Sequence, residues 1–221
     1  MEGMKTDHAA QFAARLKERV WLSEKAFQIQ LDRPGGFRFL PGQSIRMTNG
    51  SLEREYSLAG PPDADLLTLC VRRVPHGPFS SFLAETPLGT LLTFTGPHGY
   101  FVFQESPRPP VFVATGTGVA PFSAMAAAGV SGFTLLHGAR TAGELYYERH
   151  LRAASAQYVA CLSAASVPGC FAGRVSDWVR DRLPPRAYDF YLCGGREMIR
   201  DLTLLADERF PGSTVRTEIF H

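Results

Sequence analysis

The stretch PVFVATGTGVAPFSAM, residues 110–125, decides how half of this chain folds. Val111, Phe112 and Val113 make a short apolar run that reads as a buried strand. The run opens into Thr115-Gly116-Thr117-Gly118, and Ala120-Pro121 then starts an apolar segment suited to a helix. Glycines let the backbone turn sharply and approach a ligand with no Cβ in the way. Pro121 suits a first helical turn, where its missing N–H is no loss. The free N–H groups of such a turn, with the helix dipole, favour an anionic ligand such as a dinucleotide pyrophosphate. Taken alone, a G-x-G turn marks tight strand–helix packing as readily as a ligand site. Pro121 also stands where the fingerprint G-x-G-x-x-G has its last glycine. The choice therefore rests on the chain around it.

On the C-terminal side, strand-like and helix-like segments alternate. Residues 133–137, 158–162, 190–193 and 214–219 read as strands, and 121–128, 144–154, 175–182 and 197–210 as helices. Such alternation predicts a parallel sheet covered by helices. On the N-terminal side, Glu105-Ser106-Pro107-Arg108-Pro109-Pro110 reads as a linker. Before it, short strands at 12–21, 25–31, 44–48, 54–58, 66–74 and 91–95 are broken by Gly/Pro turns, the last at Gly96-Pro97. That pattern predicts a small antiparallel barrel or sandwich. The expected division is 1–105 and 106–221, a β domain before an α/β domain.

Composition narrows the partners. With 45% hydrophobic and 20% charged residues, the 221-residue chain can bury one large core or two modest ones. A formal net charge of +2, with no long Lys/Arg block, argues against nucleic acid as the ligand. No apolar run reaches the roughly 20 residues that span a bilayer. The opening MEGMKTDHAAQF lacks a signal-peptide pattern and reads as a frayed start. Cys70, Cys161, Cys170 and Cys193 are not spaced like the close pairs of zinc or iron–sulfur sites. No metal is expected, and reduced thiols in a cytoplasmic protein are.

Four motifs follow one another along the chain. They are Arg54-Glu55-Tyr56-Ser57-Leu58, Gly77-Pro78-Phe79-Ser80-Ser81-Phe82-Leu83, Gly116-Thr117-Gly118-Val119-Ala120-Pro121 and Cys193-Gly194-Gly195-Arg196-Glu197-Met198. With these in order, the chain resembles the ferredoxin–NADP reductase superfamily of flavoproteins over nearly its whole length. The motifs are similar to its R-x-Y-S flavin motif, its G-x-x-S-x-x-L segment, its nicotinamide-dinucleotide loop and its C-G-x-x-x-M motif. Lesser matches are Pro41-Gly42-Gln43, Gly96-Pro97-His98-Gly99-Tyr100-Phe101 and Gly138-Ala139-Arg140. The resemblance implies an N-terminal antiparallel Greek-key β-barrel that binds FAD. A doubly wound parallel-sheet domain that binds NAD(P) follows it.

Site roles come with the resemblance. Tyr56 would stack on the flavin ring, Arg54 fork onto a phosphate, and Ser57 place a hydroxyl near flavin N5. Gly77, Pro78, Phe79 and Ser80 would open the helix under the flavin pyrophosphate, with Ser80 donating to it. Glu55, Leu58, Val71 and Phe220 join them as FAD neighbours. Thr115, Gly116, Thr117, Gly118, Pro121, Arg140, Gly194 and Met198 would meet the nicotinamide coenzyme, with Cys193 beside its C4. Ser57, Cys193 and Glu218 form the implied catalytic group. Taken singly, these residues have plainer uses. A strand Tyr is more often core, Ser80 an N-cap, Cys193 a structural thiol and Arg140 a surface loop residue.

The implied reaction moves hydride from NADH or NADPH onto bound FAD and passes single electrons to a separate acceptor protein. That acceptor would be a ferredoxin, a flavodoxin or an oxygenase component, since no cysteine set here could hold a cluster. A neighbouring domain on a longer chain is the other arrangement open at this point. FAD is favoured over FMN because a pyrophosphate-binding helix start is present. Arg140 follows the second α/β strand, where a 2′-phosphate could be met. Leu162-Ser163-Ala164, however, lacks the Arg that NADPH-preferring relatives commonly carry, which tilts the expectation to NADH. Two alternatives stand beside this reading. One is a flavin reductase that releases free reduced flavin, the other a non-catalytic flavin-binding relay subunit.

Overall fold

The structure, a computed structural model, describes residues 10–220; most of the expected frayed start, and His221, lie outside the described residues. The first half is antiparallel. Its strands are β1 (Gln11–Ser23), β2 (Ala26–Asp32), β3 (Ser44–Asn49), β4 (Leu52–Ser57), β5 (Leu66–Arg72) and β6 (Leu91–His98), with helix α1 (Pro78–Glu85) between the last two. They pair in the Greek-key order β4-β3-β6-β1-β2-β5. The two edges approach each other where Leu58 bridges Leu69 and the Ala59 N–H donates to the Thr68 carbonyl at 2.8 Å. Alternate residues turn inward, as a period of two requires: Phe27, Ile29 and Leu31 on β2 meet Leu67, Leu69 and Val71 on β5. Phe79 and Leu83 of α1 join that core. Arg19 ties down the far end of α1, its Nε donating to the Leu83 carbonyl at 3.0 Å.

The second half is parallel. Its strands are β7 (Pro110–Thr115), β8 (Thr134–Ala139), β9 (Gln157–Leu162), β10 (Phe171–Ala172), β11 (Asp189–Gly194) and β12 (Thr214–Ile219), in the order β10-β9-β8-β7-β11-β12. Helices α2 (Ala120–Ala127), α3 (Glu148–Ala154), α4 (Val175–Arg182) and α5 (Arg196–Arg209) cover both faces. Phe112, Ala114, Leu135, Tyr191 and Cys193 pack with α2 and α3, whereas Val111, Val113, Leu136, Phe190 and Leu192 pack with α4 and α5. Both faces being covered explains why β7 reads as an unbroken apolar run rather than an alternating one. Residues 99–109 form no helix or strand and join the two sheets.

Three elements differ from the sequence expectation. The helix expected at 144–154 begins only at Glu148, after a 3₁₀ turn at Ala142–Glu144 and a left-handed Tyr147 (φ 59°). Tertiary contacts take that segment. Lys25 Nζ pairs with Glu144 at 2.6 Å, Tyr146 meets Ser23 Oγ at 2.8 Å, and the Tyr147 hydroxyl donates to Gln28 at 3.1 Å. Strand β6 runs through Gly96-Pro97 to His98 instead of ending there, because Ser44 of β3 pairs with His98. The two-residue edge strand β10 went unseen, since it is recognisable only from its pairing with Cys161 and Leu162.

Phe112 sits at the centre of the second core, with ring centroids 4.4 Å from Phe133, 4.7 Å from Phe122 and 5.2 Å from Tyr191. Truncating it removes one partner from each of these contacts and leaves a cavity. Phe112→Ala is therefore expected to lower unfolding stability by about 3–5 kcal/mol, read as a lower urea midpoint at unchanged slope.

Candidate functional site

The chain reverses direction across the sheet at β7, which has β8 on one side and β11 on the other. In open parallel sheets ligands bind beyond the carboxyl ends of strands at such a point. Here β7 ends at Thr115, and a 3₁₀ turn at Gly116–Val119 leads into α2. Gly118 lies so close to the end of β11 that a Cβ on it would stand 2.5 Å from the Cys193 carbonyl oxygen. Gly194 answers from the other side: its φ is +142°, and a Cβ there would fall 2.1 Å from Thr115 Oγ1. That hydroxyl accepts the Gly195 N–H at 3.2 Å. Two strand ends are thus locked backbone to backbone.

Cys193 is fully buried, and β11–β12 pairing puts Glu218 beside it in register. Burial, and then the Glu218 carboxylate, push the Cys193 thiol well up, so it stays protonated. Burial, helped by the charge of Glu55, raises the Glu218 carboxyl to about 7. Glu55, on the barrel, is itself held by the Ser44 hydroxyl and by Arg46 at 3.6 Å. Ser44 and Arg46 were missed from sequence. Their signal is the β3–β4 register, which pairs Ser44 with Ser57 and Arg46 with Glu55. Below Glu218, the Phe220 N–H donates to the Gly194 carbonyl at 2.9 Å.

On the barrel, Ser57 closes β4 with a buried hydroxyl that has no hydrogen-bond partner. Tyr56 precedes it; burial raises its phenol and Arg54 opposes that shift. Its ring centroid lies 6.1 Å from that of Phe79, in the first turn of α1. Arg54 is exposed and donates to the Glu53 carbonyl at 2.7 Å. Gly77, before α1, has no room for a side chain: a Cβ would sit 2.8 Å from Val74 Cβ. Among the described residues no group of three His, Cys, Asp or Glu could hold a metal ion, and no helix is long and apolar enough to cross a membrane.

Comparison with known proteins matches these two halves separately. Residues 13–103 match the oxidoreductase FAD-binding domain family and residues 112–203 the oxidoreductase NAD-binding domain family. The chain belongs to the ferredoxin–NADP reductase superfamily. This superfamily member is 35% identical to ferredoxin–NADP reductase B of Sorangium cellulosum, over 66% of this chain and 65% of that protein. It is 32% identical to a xylene/toluene monooxygenase electron transfer component of Pseudomonas putida, over 73% of this chain and 51% of that one. Three such curated relatives are matched over only 27%, 65% and 30% of their own length. In fold it resembles a ferredoxin NADP+ reductase from Neisseria gonorrhoeae with bound FAD and NADP, with a TM-score of 0.86 at 21% identity, covering 96% and 99% of the two chains.

The superfamily member's residues fit both groups. The orphaned Ser57 hydroxyl is a buried polar atom that a flavin ring would satisfy. The first-turn N–H groups of α1 have no intrahelical acceptor and suit a phosphate. At Gly116 and Gly195 an added Cβ would meet nothing within 4 Å, so the backbone just beyond the ends of β7 and β11 is open to a coenzyme. Several expected contacts lie elsewhere. Leu58 and Val71 are wholly inside the barrel core, and Phe79 is 2% exposed there, so their side chains pack in that core. Ser80 is already engaged, accepting the Val74 N–H at 3.1 Å and donating to the Gly77 carbonyl at 3.2 Å; it braces the loop, and backbone N–H groups are left for the phosphate. Met198 packs towards α4 and α5. Pro121 is buried in the first turn of α2, Thr117 is buried beside it, and Arg140 is exposed at the end of β8.

The Glu218 shift makes a pH prediction. The folded chain holds this proton more tightly than the unfolded chain, whose carboxyl titrates near 4.5. The carboxyl's stabilising contribution is therefore complete below pH 4.5 and lost as pH rises through about 7. The stability of the wild type relative to Glu218→Gln is expected to fall across that window in urea titrations. A constant difference from pH 4 to 8 would contradict the shift.

Proposed function

We propose that this chain is an FAD-dependent NAD(P)H reductase that takes hydride onto bound FAD and passes single electrons to a separate protein, a ferredoxin, a flavodoxin or an oxygenase component. The observation that carries the reading is the state of three groups. A buried, unpartnered Ser57 hydroxyl ends β4, while a protonated Cys193 thiol and a Glu218 carboxyl of raised affinity end β11 and β12. Relatives named as electron transfer components of xylene/toluene monooxygenase and toluate 1,2-dioxygenase support the direction of electron flow. In this reading the division falls between residues 105 and 106, and four free cysteines suit a cytoplasmic setting.

Bound FAD would supply a hydride acceptor and one-electron release; the protein supplies positions and charges. Tyr56 offers a ring face, Arg54 a guanidinium for phosphate, and Ser57 a hydroxyl for the flavin edge. Gly77, Pro78 and the first-turn N–H groups of Phe79 and Ser80 would hold the flavin pyrophosphate. Thr115, Gly116, Thr117 and Gly118 would hold the coenzyme, with Pro121 opening the helix behind them, Gly194 letting β11 pack against Thr115, and Cys193 offering a neutral thiol to its ring. Phe220 would lie near the flavin, and Glu218 keeps a proton at its carboxyl near neutral pH. Arg140 stands alone at the end of β8, with no second Arg at Leu162-Ser163-Ala164, so NADH is the preferred donor.

Anaerobic addition of NADH to the purified yellow protein is expected to bleach its flavin bands at about one equivalent, with NADPH less effective. A colourless protein that stays inert after FAD is added overturns the reading. Cys193→Ala and Ser57→Ala are expected to keep flavin but slow its single-turnover reduction by about tenfold or more. Unchanged rates in both would remove them from the chemistry.

A further inference from the structure

Trp21 is 45% exposed although it belongs to β1 and packs against the core ring of Phe27, centroid to centroid 5.0 Å. The Arg73 guanidinium lies over its indole, 5.5 Å from the ring centroid. The Arg73 backbone is fixed, its N–H donating to the Lys25 carbonyl at 2.8 Å. One residue on, Val74 is 42% exposed and is tied to the start of α1 twice. Its N–H donates to Ser80 Oγ at 3.1 Å, and its carbonyl accepts the Gly77 N–H at 2.9 Å. An exposed aromatic–cation stack is thus rigidly joined to the helix start that suits a pyrophosphate.

We propose that Arg73 stacked on Trp21 is the platform for the adenine ring of FAD. This rests on the flavin reading above and extends it to the other half of the cofactor. A flavin dinucleotide carries a ring system at each end of a central pyrophosphate. The first turn of α1 has an aromatic on each approach: Tyr56 through Phe79, and Trp21 through Val74 and Arg73. A guanidinium already held over an indole offers a purine a preformed partner with little further ordering, and the cation strengthens the stack. FMN lacks the adenylate half, so the platform would also set the choice of FAD over FMN.

The test is calorimetric titration of flavin-stripped protein with FAD and with FMN, together with tryptophan emission during addition of ADP. Trp21→Ala and Arg73→Ala are each expected to weaken FAD about tenfold while FMN stays within about twofold. ADP is expected to quench emission in the wild type but not in Trp21→Phe, where Trp178 alone remains. Arg73 is exposed on a loop, so its variant reports even if Trp21→Ala unfolds. Equal losses for FAD and FMN, or none in either variant, overturn the platform while leaving the flavin reading intact. Wild-type protein that binds neither flavin overturns both.

Discussion

The contact on which the site depends is backbone against backbone, where the turn after β7 crosses the end of β11. Gly118 rests on the Cys193 carbonyl, and Gly194 rests on Thr115, with no space for a Cβ at either place. The Thr115 hydroxyl closes the crossing by accepting the Gly195 N–H. Because the crossing fixes β11, it also fixes Cys193, and through strand pairing it fixes Glu218 and Phe220. A side chain at Gly118 would displace all of these together. Catalytic geometry tolerates such displacement poorly, since misplacement by about 1 Å can remove a large part of the rate.

The two halves behave as one packed body because the α2–α3 face of the parallel sheet does not end at its own helices. Ala26, Ala59, Cys70 and Phe101 of the barrel half share a core with Phe112, Phe122 and Tyr191. Polar groups at this seam are satisfied: Ser123 donates to the Ala59 carbonyl at 2.7 Å and meets His150 at 3.1 Å. The same seam explains why the chain at 144–147 leaves the helical path, since Glu144, Tyr146 and Tyr147 all find partners on the barrel. A buried apolar seam with paired polar groups holds orientation better than a linker does. It therefore sets how near Glu55 of the barrel stands to Glu218.

Electrostatics at the site comes from burial more than from ion pairing. Cys193 and Glu218 lean towards their protonated forms because each is removed from water beside another acid. Neither suits nucleophilic attack. Both suit a site whose reactive chemistry belongs to a cofactor and whose side chains hold protons and exclude water.

Much of this was legible from residue order. The apolar run at 111–113, the glycines after it and the strand–helix alternation beyond specify a parallel sheet. The Gly/Pro punctuation of the first half specifies short antiparallel strands, because these local patterns carry their own periods and turns. Four motifs in sequence placed the site on both halves. Motif position could not say which way a side chain points. Leu58 and Val71 face the barrel core and Ser80 braces its own loop, since strand register and loop closure are settled by partners far along the chain. Ser44 and Arg46 beneath Glu55, and Arg73 over Trp21, are likewise products of pairing between strands distant in sequence. Local chemistry thus determined the fold class and where the candidate site lies. Long-range packing alone decided which atoms within it are buried, unpaired and left for a ligand.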